Sequence, residues 1–526
     1  SANATELVWK ENEDQILYGS GLESEDRFGM SVKVNGDYAI VGTPYANEAV
    51  SNSGGAYIFH KSGGTWTQQA ILTASDAANN DQLGSHVDIE GDYAIVGAYN
   101  DNNDATGSAY IYKRTGTTWA QQAKLTASNA GSGDQFGRSV GISGDYALVG
   151  ARREDTGGTD RGKVYIYKRS GTTWTQQTTI QASDAQDSDN FGWSLSFDGD
   201  YAIVGADQED PDGTSDAGSA YIFKRNEVTS STVSEHPPSA LTGTESGGGG
   251  GYKVTSSSDA YNNTGFYNWK LYNKTQGNEG WHTAATFNQS NNDHNNTQSL
   301  GGVSGEWNKL EFPAPFVCDY VIIYERETTP SQRPDDWVIL GSNDDSSWTQ
   351  LVASTTLPTA SGATVQISDT NSYKYFAIVV KSLHSNGEGT IGELKYFGYI
   401  PSLVTWSEQA KIQASDKEGD DRFGSSVDID GEYAIVGAQR EDTGASNVGA
   451  AYIFKRTGTA WAQQAKIQAS DKEQDDKFGS SDWGPTVSIS GNIAVVGAHQ
   501  EDTGGANSGA AYIFERSGTA WTEVKK

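Results

Sequence analysis

The sequence is poor in cysteine, methionine and histidine, which limits the chemistry available to it. Its 526 residues include one cysteine (Cys318), one methionine and seven histidines. A single cysteine excludes an intrachain disulfide, and a chain of this size does not need one to hold a core. No His-Glu-x-x-His pattern and no paired Cys/His spacing occurs. The composition therefore gives no support to a zinc site.

Positive charge and long apolar runs are also scarce. Lys and Arg number 37 against 68 Asp and Glu, which gives a formal net charge of -31. This balance argues against nucleic acid and anionic membranes as partners, and it favours divalent cations, basic partners or simple solubility. No apolar run approaches the length of a membrane span. No Gly-x-Ser-x-Gly elbow or phosphate-cradling loop is present, so we do not expect an enzyme.

A repeated phrase organises the chain. A Phe-Gly or Leu-Gly pair is followed by a run like Tyr-Ala-Ile-Val-Gly and then by Ala-Tyr-Ile-Phe-Lys-Arg or a close variant. The spacings between successive pairs are 55, 53, 55, 232 and 55 residues, so about 177 residues are inserted once. A fixed period of this size indicates blades or solenoid turns. The pairs begin at Phe28, Leu83, Phe136, Phe191, Phe423 and Phe478.

Each repeat predicts four short antiparallel strands. In the third repeat they are Ser-Val-x-Ile after Gly137, then 146–150, 164–169 and 174–180. These runs are rich in β-branched and aromatic residues and are separated by glycine turns. Six such units predict an all-β fold, a six-bladed β-propeller, with seven blades the less favoured alternative. Sustained 3.6-residue periodicity is missing, so almost no helix is expected.

The tryptophan that opens the fourth strand occurs once more often than there are blades. Trp66, Trp119, Trp174, Trp406 and Trp461 each precede the next pair by 17 residues, while Trp9 and Trp521 begin two further copies. A ring is commonly closed by a strand from the other terminus. We therefore expect residues 7–17 to pair in the sixth blade, near 511–523. The surplus terminal strand also offers a route to self-association.

The repeat resembles the FG-GAP family, which includes the propellers of integrin α-subunit heads. The match is Phe-Gly-x-Ser-Val, Gly-Asp-Tyr-Ala-Ile-Val-Gly-Ala and Gly-Ala-Ala-Tyr-Ile-Phe, over residues 1–226 (blades one to three and part of four) and 403–526 (the rest). Integrin-type repeats carry a calcium loop between the first and second strands. Here that link is a short turn such as 430–432, so the integrin calcium site is not expected there.

Carboxylates gather in two other loops that open on one face of a propeller, the blade-to-blade loop and the loop between strands two and three. Hard oxygen ligands in flexible loops suit Ca²⁺, and this predicts a tentative calcium site in the blade-to-blade loops. The alternative is that these aspartates cap turns by accepting backbone N–H groups. The opposite face receives the Lys-Arg pairs and is expected to be comparatively basic. The candidate ligands are Asp76, Asp81, Asp134, Asp184, Asp189, Asp416, Asp421, Asp471 and Asp476.

The inserted segment leaves the fourth repeat between its third and fourth strands. Residues 227–250 form a Ser/Thr/Pro/Gly-rich linker. Residues 236–402 resemble a discoidin or coagulation factor 5/8 C-type domain, a galactose-binding-like β-sandwich jelly roll. The most specific phrase is Gly-Ser-Asn-Asp-x-Ser-Ser-Trp at 341–348. Trp281, Trp307, Trp337 and Trp348 lie inside this framework and are expected in the core.

The resemblance implies recognition of glycans, proteins or lipid headgroups through loops at one end of the sandwich. The candidate ligand-binding residues are Tyr267, Trp269, His282, Arg326 and Arg333. We expect an extracellular, cell-surface or virion-surface adhesion protein, lectin-like and with calcium-stabilised propeller loops, whose partners are glycans or a surface protein. The alternatives are a structural subunit of a surface assembly or filament and, less favoured, a carbohydrate-active enzyme.

Overall fold

The computed structural model divides the chain into two compact units, which are described separately. The propeller unit is Ser1–Arg225 with Trp406–Lys526, and the inserted unit is Asn226–Thr405. Within the described residues there is no α-helix, only a single π-turn at Asp101–Ala105 and a 3₁₀ turn at Pro211–Gly213. The structure describes residues 15–23, 25–228, 233–236, 252–256, 281–282, 299–304, 306–324, 334–354, 363–383, 390–391, 393–399, 403–480, 484–502, 505 and 508–526.

Blades one to three are four-stranded antiparallel sheets whose strands follow each other in chain order. Two-residue turns join the first two strands of each blade, and the turn glycine has a positive φ, 57° at Gly36 and Gly91. The strands are β1 (Val32–Asn35), β2 (Tyr38–Thr43), β3 (Gly55–Ser62), β4 (Thr65–Leu72), β5 (His86–Glu90), β6 (Tyr93–Ala98), β7 (Ser108–Thr115), β8 (Thr118–Leu125), β9 (Phe136–Ser143), β10 (Tyr146–Ala151), β11 (Lys163–Ser170) and β12 (Thr173–Ile180).

Blade four begins with β13 (Ser194–Asp198), β14 (Tyr201–Ala206) and β15 (Ser219–Val228), and the inserted unit follows. The strands of the inserted unit are β16 (Ser234–His236), β17 (Lys253–Ser256), β18 (Trp281–His282), β19 (Ser299–Leu300), β20 (Val303–Ser304), β21 (Glu306–Tyr324), β22 (Pro334–Ser342), β23 (Thr349–Ser354), β24 (Ala363–Gln366), β25 (Tyr373–Leu383), β26 (Thr390–Ile391) and β27 (Glu393–Tyr399).

The long strand β21 turns the inserted unit into a curled β-sandwich. Its first half pairs with β17 and β25, and its second half pairs with β24 and β27, with a register shift between Glu311 and Phe316. A strand that changes sheets at such an irregularity forms a corner of a sandwich. Trp337 is fully buried in the core, as predicted, and Trp307 and Trp348 pack half-buried against Val338 and its neighbours. The side chain of Trp281 lies outside the described residues.

Blade four is completed after the insertion, and two further blades follow. The strand order β13-β14-β15-β28 shows that β15 and β28 are hydrogen-bonded neighbours. The predicted insertion point, between the third and fourth strands of this blade, is therefore confirmed. The remaining strands are β28 (Leu403–Ile412), β29 (Phe423–Asp430), β30 (Tyr433–Ala438), β31 (Ala450–Thr457), β32 (Ala460–Ile467), β33 (Val487–Ser490), β34 (Ile493–Ala498), β35 (Ala510–Ser517) and β36 (Ala520–Lys525).

The apolar core of the propeller lies between neighbouring blades. Ile40 of blade one, for example, is fully buried in a cluster with Val87 and Ile89 of blade two. Two glycines allow the blades to approach, because a Cβ on Gly42 would lie 2.0 Å from the carbonyl oxygen of Gly84. The same contact recurs at four other junctions, Gly97–Gly137, Gly150–Gly192, Gly205–Gly424 and Gly437–Gly479.

The junction between blades six and one is different. A Cβ on Gly497 of blade six would meet Thr486 of its own blade first, at 3.4 Å, and a Cβ on Gly29 of blade one would meet nothing within 4 Å. Val495 is 37% exposed, and Val32 and Val34 are 54% and 59% exposed, whereas their equivalents in the other blades are buried. Six blades are present, and we call the loosely packed six–one junction the seam.

The predicted N-terminal completion of blade six is wrong. The outer neighbour of β35 is the C-terminal strand β36, with Trp521 opposite Arg516. Gln15, which lies within the predicted 7–17 strand, and the residues after it lie against blade one instead. The Gln15 amide exchanges two hydrogen bonds with the backbone of Trp66, and Ser20 does the same with the side chain of Gln68. Residues 7–14 lie outside the described part of the chain.

Candidate functional site

In four of the blade-to-blade loops, the first aspartate is held by a tyrosine and a lysine of the following blade. Asp184 accepts hydrogen bonds from the Tyr221 hydroxyl and from Lys411 Nζ, both at 2.8 Å. Lys411 Nζ also lies 2.8 Å from Glu209 in the loop between strands two and three. The two predicted carboxylate loops therefore meet, with an ammonium group between them. The same arrangement joins Asp76 to Tyr110, Lys124 and Asp101, Asp416 to Tyr452, Lys466 and Glu441, and Asp471 to Tyr512, Lys526 and Glu501.

Blade three builds the same network from different residues. Asn129 stands where the other loops have an aspartate, and it accepts a hydrogen bond from the Tyr165 hydroxyl at 2.7 Å. The lysine comes from the third strand, because Lys163 Nζ lies 3.1 Å from Glu154. Loss of one carboxylate thus accompanies relocation of the ammonium group. The network therefore fixes the blade-to-blade loop to the following blade, and an ammonium group accompanies the buried Glu154 as it does the buried Glu209.

The second aspartate of each loop caps a turn. Asp421 Oδ2 accepts the backbone N–H of Glu418, three residues earlier, at 2.7 Å. Its carboxylate is buried, and burial raises the pKa of Asp421 to about 6 despite that hydrogen bond. The capping contact is common to all six loops, at distances of 2.6–2.8 Å: Asp26–Glu23, Asp81–Ala78, Asp134–Gly131, Asp189–Gln186, Asp421–Glu418 and Asp476–Glu473.

The first and second aspartates differ in the direction of their pKa. Burial would raise the pKa of Asp184, but hydrogen bonds from Lys411 and Tyr221 outweigh it and leave the pKa lowered. Asp76, Asp416 and Asp471 behave in the same way. Among the described residues, the second aspartates have no ammonium partner, and burial raises the pKa of Asp189 to about 6. The loop therefore pairs one stabilised carboxylate with one destabilised carboxylate.

As arranged, these carboxylates do not fit calcium. Ca²⁺ needs six to eight oxygen ligands, whereas the oxygens of Asp184 already accept an ammonium and a hydroxyl proton and Asp189 accepts a backbone N–H. Within the described ranges, no group of three or more His, Cys, Asp or Glu side chains is placed to hold a metal ion. The geometry matches the turn-capping alternative, and the calcium site stays a prediction that a titration can test.

The opposite face carries both positive and negative side chains. The prediction of a comparatively basic face is therefore wrong. The Arg169 guanidinium forms an ion pair with Asp145 in the first hairpin of its own blade. It also lies 4.4 Å from the ring centroid of Tyr93 in the preceding blade. The prediction counted the Lys-Arg pairs and overlooked the aspartate of the Gly-Asp-Tyr turn. The arrangement recurs as Arg114–Asp92 over Tyr38 and Arg225–Asp200 over Tyr146.

A cluster at the loop end of the central channel escaped the prediction, because it departs from the repeat. Arg138, at the start of β9, and Arg152, just after β10, lie 4.6 Å and 4.4 Å from the ring centroid of Trp193. The equivalents of Arg138 in the other blades are Met30, Ser85, Trp193, Ser425 and Ser480. A position whose residue differs from its equivalents in the other repeats is a sign of a special role, and this sign could have been read from the sequence. We call Arg138, Arg152 and Trp193 the axial cluster.

The predicted ligand-binding residues of the inserted unit fall almost entirely outside the described part of the chain. Tyr267, Trp269, Arg326 and Arg333 lie outside the described residues, and of His282 only the backbone is described, in β18 opposite Thr390. The discoidin-like phrase is described. Asp344 Oδ1 accepts the backbone N–H groups of Ser346 and Ser347 at 2.8 Å and 2.6 Å, and these bonds lower the pKa of Asp344. This phrase therefore encodes a capped turn between β22 and β23.

A family model described as FG-GAP repeat matches six segments that together make up more than half of the chain: 12–59, 66–112, 119–167, 174–223, 406–454 and 461–514. From the second onward, each segment begins in the fourth strand of one blade and ends in the third strand of the next. The chain therefore belongs to the FG-GAP repeat family, and the predicted family is confirmed. No curated protein matches the chain.

Solved structures similar to this chain cover about a quarter of it. A family 32 carbohydrate-binding module from C. perfringens NanJ, in complex with galactose, is 14% identical, covers 28% of this chain and 93% of its own, and has a TM-score of 0.22. An F5/8 type C domain from Bacteroides fragilis is 12% identical, covers 28% and 91%, and has a TM-score of 0.22. A fucolectin from Morone saxatilis serum is 14% identical, covers 28% and 47%, and has a TM-score of 0.23. Scores this low decide neither ligand nor mechanism.

Across the described ranges, no helix is long and apolar enough to cross a membrane.

Proposed function

We propose that this protein is a secreted or surface-displayed binding protein whose inserted sandwich recognises glycans and whose propeller serves as its frame. The observation that carries the proposal is the intact blade at the insertion. β15 and β28 are neighbours in one sheet although residues 229–402 separate them. The inserted unit has its own core around Trp337, Phe312 and Phe376. A module with its own core can be inserted into a hairpin without disrupting the blade, and function resides in such sites rather than in the host fold.

The chemistry of the propeller loops supports binding rather than catalysis. Catalytic acids and bases normally form one singular constellation, whereas the Asp–Tyr–Lys–Glu network is repeated blade by blade. Each lysine in it forms ion pairs with two carboxylates, as Lys466 does with Asp416 and Glu441. The glycan assignment comes from the discoidin-like sequence, whose family uses loops at one end of the sandwich. An absence of enzymatic activity remains an expectation.

A glycan array tests this proposal with two forms of the chain. The first is the full chain, and the second replaces residues 226–405 with the short Ser170–Gly171–Thr172 turn that serves blade three. We expect the full chain to bind a defined set of glycans and the shortened chain to bind none of them. Equal binding by both forms would assign recognition to the propeller, and no binding by a folded full chain would remove the glycan proposal.

A structural subunit is the second candidate function, and the seam favours it. Val495 on blade six and Val32 and Val34 on blade one are exposed at faces that the other five junctions bury. Blade six of one copy is therefore complementary to blade one of another, and such a head-to-tail contact does not have to close. Sedimentation velocity at rising concentration tests it. Growth of oligomers that Val495→Lys abolishes would support assembly, and a monomer at all concentrations would exclude it.

A further inference from the structure

We infer that the axial cluster is a binding site for an organic carboxylate, separate from any site in the inserted unit. The cluster presents two guanidinium groups against one indole ring, with Arg138 and Arg152 each within 4.6 Å of the Trp193 centroid. Both arginines belong to the inner hairpin of blade three, and Trp193 precedes the inner strand of blade four. The backbone ladder places them at one end, because Ala151 pairs with Phe136 and Gly150 with Ser139.

The positive charge of this cluster is incompletely compensated. Arg138 is only 6% exposed, and among the described residues its guanidinium group has no hydrogen-bond or ion-pair partner. Burial lowers the pKa of Arg138, and burial together with Arg138 and Arg153 lowers the pKa of Arg152 to about 9. A guanidinium group that is buried without an anionic partner costs free energy. A carboxylate bound to these guanidinium groups would lower that cost.

A buried histidine near Arg138 has an unused hydrogen-bond donor. His86 Nδ1 accepts the backbone N–H of Val140 at 3.3 Å, so Nε2 carries the proton of the neutral ring. Nε2 is buried and has no hydrogen-bond partner in the described part of the chain. Burial and the nearby Arg138 lower the pKa of His86 to about 3, which keeps the ring neutral. His86 also lines the central channel, a cavity of about 420 Å³.

Asp207 is the carboxylate that faces this group of cations. It is buried, its Oδ1 accepts no hydrogen bond from the described residues, and its nearest cation is Arg422 at 3.9 Å. Burial raises the pKa of Asp207 to about 6, although Arg422, Arg152 and Arg138 oppose that effect. One weakly held aspartate thus faces three arginines, of which Arg422 also lies 3.6 Å from Asp216. The site keeps an excess of positive charge inside a chain of net charge -31.

The geometry favours a carboxylate over a phosphate. The planar fork of arginine pairs with either group, and both guanidiniums already cover the Trp193 ring, so stacking on a sugar ring is not the recognition mode. The surrounding loops carry the repeated aspartates, whose field disfavours a doubly charged ligand more than a singly charged one. A monoanionic carboxylate is therefore the ligand class that the site fits.

Saturation-transfer difference NMR on the methyl group of acetate tests this assignment in the full chain. Sodium phosphate and sodium chloride at equal ionic strength serve as competitors. We expect a saturable acetate signal that chloride does not displace. Arg152→Gln should weaken binding about tenfold, the usual effect of losing a charged hydrogen bond, and Arg138→Gln at least as much. Arg153→Gln removes the same charge from an exposed neighbour and should change binding by less than about twofold.

The outcomes separate the site from its alternatives. No saturable acetate signal, or equal losses in Arg152→Gln and Arg153→Gln, would overturn the proposal. Stronger displacement by phosphate than by acetate itself would overturn the carboxylate assignment. Circular dichroism of each variant establishes that it is folded. The chain lacking residues 226–405 should retain acetate binding, so this site can fail or hold independently of the glycan proposal.

Discussion

Gly437 of blade five lies directly against Gly479 of blade six, and a Cβ built on Gly437 would be 1.7 Å from the Gly479 carbonyl oxygen. Neither flexible side chains nor open space can absorb that overlap, because the neighbouring atom belongs to the backbone. The same pair of glycines occurs at every tightly packed junction. Their absence of side chains is thus what sets the distance between blades.

We predict that Gly437→Ala destabilises the propeller unit by about 3 kcal/mol, since the blades must separate or bend. Gly497 is the matched control. It occupies the same position in blade six, but at the seam a Cβ would meet nothing closer than 3.4 Å. Gly497→Ala should therefore change stability by less than about 1 kcal/mol. Urea unfolding followed by far-UV circular dichroism measures both, and equal losses would mean that the seam is as tightly packed as the other junctions.

Lys411, which lies between the carboxylates of Asp184 and Glu209, is predicted to stabilise blade four. Lys411→Met leaves Glu209, which is 2% exposed, and Asp184 without a cation. The expected loss in the free energy of unfolding is about 2 kcal/mol. This is less than for a fully buried ion pair because Asp184 is partly exposed. Lys417→Met is the control, since Lys417 pairs with the exposed Asp212, and it should have little effect. Recovery of stability in the double variant Lys411→Met/Glu209→Gln would support the charge argument, and no recovery would contradict it.

Stability is predicted to rise as the pH falls from about 7.5 to about 5. The folded-state pKa values of Asp421 and Asp189 are raised to about 6, above the unfolded value of about 4. The folded state therefore binds more protons in this range, and that contribution is lost as the pH rises through 6. Below pH 4 the carboxylates whose pKa is lowered in the folded state, such as Asp184, become protonated and lose their contribution to stability. The measurement is the thermal midpoint against pH.

Asp421→Asn isolates this effect. The amide oxygen can still accept the Glu418 N–H, but the buried charge is gone. We expect a gain of about 1 kcal/mol at pH 7.5 and none at pH 4. The exposed neighbour Asp420 provides the control Asp420→Asn, which should not alter the pH profile. A loss of stability at pH 7.5 in Asp421→Asn would show that the carboxylate is needed as an anion.

The parts of the fold that recur every 53 to 55 residues could be predicted from the sequence. The parts that depend on closure of the ring could not. The Phe136-Gly137 pair marked the start of a blade. Tyr146 of the second strand and Tyr165 of the third strand follow it at spacings that recur in the other repeats, so the strand order could be predicted. The seam could not be predicted, because Val32 and Val495 have the same local sequence as buried residues elsewhere. What exposes them is the looser packing of the inner strands at the junction between the first and last blades.

The role of the loop aspartates was predictable only as two alternatives. Their spacing is equally suited to ligating a cation and to capping a turn. The deciding partners of Asp416 are Tyr452 and Lys466, which lie 36 and 50 residues further along and on a different blade. The axial cluster was hidden for the opposite reason. Arg138 and Trp193 are ordinary residues in sequence, and only the comparison with their equivalents in the other blades marks them.

Calcium is predicted to leave the wild-type protein unchanged, because an ammonium group already occupies the place between the two carboxylates. Lys466 Nζ lies 2.7 Å from Asp416 and 2.6 Å from Glu441, close to the distances that Ca²⁺ adopts to oxygen, about 2.3–2.6 Å. Lys466→Met should lower the melting midpoint, and millimolar CaCl₂ should restore part of it, whereas NaCl of equal ionic strength should not. A rise of several degrees with calcium in the wild-type protein would show instead that the loops bind metal with the lysine in place.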